Sequence, residues 1–420
     1  MEMDVKENRL RQILYALIIL GAVVRILICF YHNPLDYLFS DPKRHWLNGA
    51  RLFHPDLMGA SDPILYQVYV CLLRLVTGDN RILIALSAGL LSVLMPWTYY
   101  RAGRAMGLSR DAALWVWLLI SWMPSLLDIY HYIMMETLLL PLVGISIWMS
   151  GRALRKGTFS SWLWMVVFWS LCCLTKPTVV PLVGVAGLYV WWNSCRTWKT
   201  LVAGMFLGIL FLIPNTIRTD HYLGFPSPLG NPWITMIQHR SGAKVIHIYF
   251  GKGYWEFSSP SCYIQPLEPL STWMIKRSHG DSTMTVTVDP ANGKKDWVEK
   301  FNSLRTTFPE WCNQLKENMI IFLFAPSWPD VRLSEWSGFF AYHGRWLWAP
   351  LILFVLGSNF LGFWGKQFHL LPLMVTALTF FLLFQNIAPT EGRYRKPLEP
   401  LLLLNLIWVV TPMTPQKEMK

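Results

Sequence analysis

Residues 112–150 read AALWVWLLISWMPSLLDIYHYIMMETLLLPLVGISIWMS. The run is nearly continuous in apolar side chains, and about 20 mostly apolar residues suffice to cross bilayer hydrocarbon. Asp128, His131 and Glu136 interrupt it, so it reads as two spans, 112–130 and 132–150, joined by a tight hairpin. A chain built from such hairpins is an all-α polytopic membrane protein.

The rest of the chain agrees. Of its 420 residues, 53% are hydrophobic and 15% charged, against about a quarter charged in a soluble chain. The 23 Trp and 16 Tyr suit bilayer interfaces. Further apolar runs fall at 12–31, 82–100, 161–175, 178–193, 199–214, 345–363, 368–387 and 398–412, which makes ten candidate spans. Thr175-Lys176-Pro177 divides 161–193, because Pro disfavours helix at the residue before it. No small-residue cleavage site follows the first run, so it reads as a retained helix and not a signal peptide.

Positive charge orients the bundle. Lys6, Arg9 and Arg11 precede the first span, and Arg101, Arg104 and Arg110 separate the second and third. Arg152, Arg155, Lys156, Arg196, Lys199, Lys366, Lys417 and Lys420 fall on the same side of a ten-span bundle. Both termini are then expected in the cytoplasm. The net charge of +12 is accounted for largely by these links; without a basic stripe or a known module, nucleic-acid binding is not expected. Three regions result: an N-terminal module, 1–214, with a first outer loop at 32–81; a large outer loop, 215–344; and a C-terminal module, 345–420, with a basic outer loop. Within the loops, 64–76 and 309–325 read as helices lying along the interface.

The candidate functional residues share the outer face. Asp41 stands in Ser40-Asp41-Pro42-Lys43-Arg44-His45-Trp46. Pro42 makes it a turn or extended residue, either a helix N-cap or a general base for an acceptor hydroxyl. Glu136 opens the fourth span as a second acid with no basic neighbour in sequence. Lys176 sits between two spans, and Arg393-Tyr394-Arg395-Lys396-Pro397 gathers cations against the positive-inside trend. Guanidinium groups hold phosphate oxygens through paired hydrogen bonds, and ammonium acts as a point charge. An anionic ligand explains these cations; lipid headgroups are the alternative.

The outer acid, the interfacial helix behind it, Glu136, Leu174-Thr175-Lys176-Pro177 and Gly392-Arg393-Tyr394-Arg395-Lys396-Pro397-Leu398-Glu399-Pro400 together resemble GT-C glycosyltransferases. The similarity is to the bacterial branch near protein O-mannosyltransferases and lipid A aminoarabinose transferases. It implies a GT-C bundle of about ten helices in the inner membrane, with the active site on the periplasmic face. It implies a polyprenyl-phosphate sugar donor and an acceptor hydroxyl on protein, lipid or glycan. By this resemblance Asp41 is the catalytic base and Lys176, Arg393 and Arg395 are the donor-phosphate ligands. Glu136, on the same side as Asp41, is a second candidate catalytic acid, useful for orienting a sugar or acceptor hydroxyl, and Arg44, His45 and Tyr394 are candidate substrate contacts. No cofactor is required, although a divalent metal is compatible with the acids. The sequence departs from relatives with paired first-loop acids: Asp41 stands alone unless Asp36, Asp56 or Glu136 supplies the second.

Two alternatives remain at the level of sequence. A lipid-linked glycan polymerase or ligase would rely on Arg and His in the late loop. A transporter would need ions along a midplane path or repeated halves; Arg25 is the one obvious ion inside a span. Of the seven cysteines, Cys262 and Cys312 share the large outer loop, where an oxidising compartment permits a disulfide. His221, His239, His247 and His279 match no zinc spacing.

Overall fold

The structure is a computed structural model. It describes residues 2–231 apart from 39 and 56, the strands at 245–250, 253–258 and 283–288, and residues 294–303. It also describes 307–309, 312, 315, 319, 322 and 323, then 344–384 and 392–411.

Helix α1 (Glu2–Tyr31) leads to α2 (Ser40–Ala50), α3 (Leu57–Ser61) and α4 (Ile64–Thr77). A helical body follows: α5 (Arg81–Ala105), α6 (Arg110–Trp122), α7 (Pro124–Asp128), α8 (Met135–Lys156), α9 (Phe159–Thr175), α10 (Val180–Ser194) and α11 (Trp198–Leu223). After the large loop, which includes α12 (Lys294–Ser303), come α13 (Trp348–Trp364), α14 (Leu370–Phe384) and α15 (Glu399–Val410). Local chemistry sets the ends. Asn80, Ser109, Thr158 and Thr197 each cap a helix by accepting from backbone N–H groups of its first turn. Gly78 ends α4 at φ +57° and Gly224 ends α11 at φ +71°, left-handed positions that cost glycine no Cβ clash.

The described part of each apolar run seen in the sequence is largely helical, but the count of ten spans is not met by length. Among the described residues four helices are long and apolar enough to cross a membrane: Asn8–Tyr31, Arg81–Ala105, Met135–Lys156 and Trp198–Leu223. A bent pair, Arg110–Trp122 with Pro124–His131, makes a fifth. Helices α9, α13, α14 and α15 are apolar but hold 10–17 residues. At about 1.5 Å per residue such helices fall short of about 30 Å of hydrocarbon. The run 64–76 is a helix, as expected. Of 309–325, the described positions 309, 312, 315, 319, 322 and 323 are helical.

The core lies between α5, α8 and α9. Gly144 and Gly151 stand two turns apart on one face of α8. A Cβ on Gly151 would sit 2.7 Å from the Ala105 carbonyl, so glycine is what lets α5 and α8 approach. The outer surface is apolar instead. Val202, Met205, Phe206, Ile209, Ile213 and Ile217 are exposed along α11, and Ile19, Leu20, Val23 and Leu27 along α1. Such stripes suit lipid, not water. The large loop also holds a three-stranded sheet in the order β2-β1-β3. Strands β1 (Val245–Phe250) and β2 (Gly253–Ser258) pair antiparallel, and β3 (Thr283–Val288) pairs parallel to β1, Val245 opposite Thr283.

The bend of 65° between α6 and α7 explains Arg25. Met123-Pro124 breaks the run earlier than Asp128, since Pro124 has no N–H to continue the helix. The break frees carbonyls in a buried place. Arg25, 1% exposed, reaches them from α1: Nε donates to Ser121 O at 2.9 Å and Nη2 to Ile120 O at 2.6 Å. Its Nη1 donates to Ser92 O, Ser92 Oγ and Leu126 O at 3.0, 2.8 and 3.3 Å. The guanidinium is therefore a cap for the broken helix and not a station on an ion path. Arg25→Lys keeps the charge and loses the fork. Thermal unfolding in detergent should show a loss of about 1.5–3 kcal/mol, the worth of a charged hydrogen bond left unmade; an unchanged midpoint would rule out the capping role.

Candidate active site

Helix α2 carries the first cluster. Of the two expectations for Asp41, turn or extended, the extended one is not met: a helix starts here, and Asp41 lies just inside it and is not its N-cap. Ser40-Asp41-Pro42 is the first turn of α2, where a missing N–H breaks no intrahelical bond. Asp41 is thus a first-turn residue, and its i,i+3 and i,i+4 neighbours Arg44 and His45 share its face. Arg44 Nη2 lies 3.3 Å from Asp41 Oδ1 and also 3.3 Å from Asp62 Oδ2. His45 Nδ1 lies 3.6 Å from the same Asp62 oxygen.

Asp62 was missing from the sequence reading. It stands between α3 and α4, before Pro63, the N-cap of α4. The available signal was a second Asp-Pro pair 21 positions after the first, read from Asp41-Pro42 and Asp62-Pro63. Its backbone is held from far away in sequence. Arg218 near the end of α11 donates to Asp62 O at 3.1 Å, to Gln67 Oε1 at 2.6 Å and to Gly59 O. Asn231 N adds a bond to Ser61 O at 2.8 Å. Helix α2 is pressed on α4 by Arg74, whose guanidinium lies 4.3 Å over the Trp46 ring and donates to Trp46 O at 2.9 Å.

The second cluster centres on Glu136. It lies in the first turn of α8, where the helix dipole favours an acid. Glu136 is 1% exposed and its Oε1 lies 2.5 Å from Lys176 Nζ. The partner that sequence could not supply comes from the hinge between α9 and α10, where Lys176 is extended at φ −156° ahead of Pro177. Lys176 also lies 4.7 Å from the Tyr394 ring centroid. The 3-10 turn Gly392–Arg395 therefore meets the hinge. Arg393 falls in this turn, and its side chain lies outside the described ones.

Arg395 and Lys396 take an inward place instead of the open one expected of phosphate ligands. Both are 0% exposed. Arg395 Nε lies 3.2 Å from Glu399 Oε1, and Nη1 donates to the Phe322 carbonyl. Lys396 Nζ donates to Ser125 O and lies 3.8 Å from Glu399 Oε2, which accepts from Ser125 Oγ at 2.9 Å. Charges at this depth need counterions, and Glu399 is one turn away on α15. Glu399 and Ser125 were not singled out in the sequence, although Glu399 stands at i+4 and i+3 from the two cations.

Tyr66 on α4 connects the clusters. Its ring meets His45 edge-on at 5.2 Å between centroids. Its hydroxyl faces Thr137 and the Glu136 charge, and burial pushes it well above the usual phenol range, so it stays neutral. Burial likewise pushes Tyr69 up to about 12. Both tyrosines line a cavity with Pro34, Ile84, Tyr132 and Thr137. The hairpin residues also pair: His131 Nδ1 lies 3.3 Å from Asp128 Oδ1, and the His131 and His32 rings are 4.7 Å apart.

Chemically, these clusters offer a carboxylate at Asp41 that is 19% exposed, a neutral phenol at Tyr66, and an ammonium at Lys176 that is 12% exposed. Among the described residues no three His, Cys, Asp or Glu gather to hold a metal ion. Cys29, Cys71, Cys172, Cys173 and Cys195 are free thiols, and Cys312 forms no disulfide with a described residue; Cys262 lies outside the described residues, and with it the expected pairing to Cys312.

Fold and composition define a multi-pass helical membrane protein. Residues 61–217 match the family model described as dolichyl-phosphate-mannose-protein mannosyltransferase, a GT-C type of membrane glycosyltransferase. The matched segment runs from α3 to α11 and contains Asp62, Tyr66, Glu136 and Lys176. No curated protein is significantly similar to the chain.

Proposed function

We propose that the chain transfers a sugar from a polyprenyl-phosphate donor to an acceptor hydroxyl on the outer face of the inner membrane. What supports the reading is one tyrosine: Tyr66 touches His45 beside the Asp41 cluster and faces Glu136 beside Lys176. Tyr66 thereby links the cluster taken to hold the base with the cluster taken to hold the phosphate. Asp41 takes the proton of the acceptor hydroxyl as its oxygen bonds to the anomeric carbon. The bond from that carbon to the phosphate oxygen breaks, and polyprenyl phosphate leaves with the electron pair. Lys176 steadies that leaving charge, with Arg393 from the adjoining turn. Arg395 keeps the turn in shape through Glu399. Arg44, His45 and Tyr394 border the substrates, Glu136 orients Lys176, and the step as written requires no metal, although the acids are compatible with a divalent one.

The match to a mannosyl-transferring family makes a mannosyl lipid the first donor to try. Membranes containing the chain, given radiolabelled mannosyl undecaprenyl phosphate, should move label into non-lipid material; the same membranes without it should not. Equal labelling in the two would end the proposal.

The three expected regions, 1–214, 215–344 and 345–420, are kept in this reading as a catalytic module, an outer loop and a C-terminal module, with the first boundary moved by α11, which runs on to Leu223. Sidedness is a separate expectation, resting on positive charge at one side. A cysteine placed at residue 289 should be labelled by impermeant reagents in intact cells. Labelling only after permeabilisation would reverse the orientation.

A further inference from the structure

Asp41 and Asp62 share one guanidinium nitrogen, and a second arginine holds the backbone that carries Asp62. Arg44 Nη2 lies 3.3 Å from an oxygen of each carboxylate. Arg218 donates to Asp62 O and to Gly59 O, and so grips the turn from both sides. It spans 156 positions to do so. Its side chain is 7% exposed, so the guanidinium is committed to this turn and not to solvent. The bond from Arg218 to the carbonyl of residue 62 is one that any residue there would offer, whereas the approach of Arg44 to Oδ2 needs the acid.

We propose that Asp62 is a positioning residue for sugar transfer, which shares Arg44 with Asp41 and is held in place by Arg218. The inference rests on Asp41 being the base. A carboxylate paired alone with a guanidinium is a poor base, since the cation favours its charged form. A second carboxylate on the same cation divides that attraction and adds a like charge, which favours proton uptake by the first. It also fixes Arg44, so that the Asp41 carboxylate keeps one direction. The groups facing the pair are Arg44 and His45 from α2, Tyr66 from α4 by way of His45, and Arg218 from α11. Lys43 is exposed, and Arg74 is engaged by Trp46 and Asp79.

The test uses full-length protein in its membranes, with mannosyl undecaprenyl phosphate as the probe. Asp62→Asn should leave KM for the probe unchanged and lower kcat by up to about 100-fold, the cost of a misplaced catalytic group. The acidic limb of its kcat/KM profile should move to lower pH, because Asp41 then has Arg44 to itself. Asp62→Glu should recover part of kcat and move the limb back. Wild-type kcat and an unmoved limb in Asp62→Asn, with Asp41→Asn inactive, would overturn the role of Asp62 and leave the transferase reading intact. Inactivity of the wild-type chain toward the probe would sink both. If Asp62→Asn does not fold, Arg218→Lys reads the same displacement: a limb at lower pH supports the proposal, and an unmoved one refutes it.

Discussion

Asp41→Asn should nearly abolish sugar transfer in a protein that still folds and still binds donor lipid. Removing a general base costs about 100- to 10,000-fold in rate. The amide keeps the size of the carboxylate, so the first turn of α2 remains intact, and Arg44 keeps Asp62 as its counterion at 3.3 Å. Glu136→Gln should act differently. It removes the partner 2.5 Å from Lys176, so the defect should appear in donor KM before kcat. Initial rates against donor concentration separate the two variants. Near-normal turnover by Asp41→Asn beside a dead Glu136→Gln would move the base to Glu136.

Glu399→Gln should be the most destabilising of the isosteric substitutions at the end of the bundle. Glu399 lies within 4 Å of both Arg395 and Lys396, and all three are fully buried. Burial pushes the Lys396 ammonium below its usual range, and Glu399 followed by Asp128 pulls it back up. Without the Glu399 charge two cations stay buried side by side. Breaking a buried ion pair from one side costs about 3–5 kcal/mol, since the remaining charge is uncompensated. Thermal unfolding in detergent should show a large downward shift, and replacing Arg395 and Lys396 with Met in the same chain should recover much of it. A Glu399→Gln protein as stable as wild type would mean that water or Asp128 already serves as counterion.

Much of the fold was legible because its cause is local. The helix starts at Asn80, Ser109 and Thr158 follow from side chains that reach only a turn ahead. The hinge at Lys176-Pro177 follows from a steric clash between neighbours. The helical runs were legible for the same reason, since apolar length is a property of a segment. The number of crossings was not: how far a 12- or 15-residue helix reaches depends on its tilt and neighbours. The position of Asp41 was also misread locally, because Pro42 is tolerated in a first turn that nothing in the sequence obliged to begin at Ser40.

The sequence by itself therefore determined a helical membrane protein, the identity of Asp41, Glu136 and Lys176 as ions needing an explanation, and the cationic turn before α15. Only the tertiary structure decided their partners. Glu136 meets Lys176 across 40 positions, Arg25 meets the broken end of α6 across 95 and 96, and Arg218 reaches the Asp62 turn across 156. Arg395, expected to face a phosphate, is turned inward to Glu399. The physical reason is common to all four. A charge excluded from water must find its counterion or its carbonyls in space, and packing sets what lies nearby. Periodicity and spacing report which residues share a face of one helix; they carry no information on which face of another helix comes to meet it.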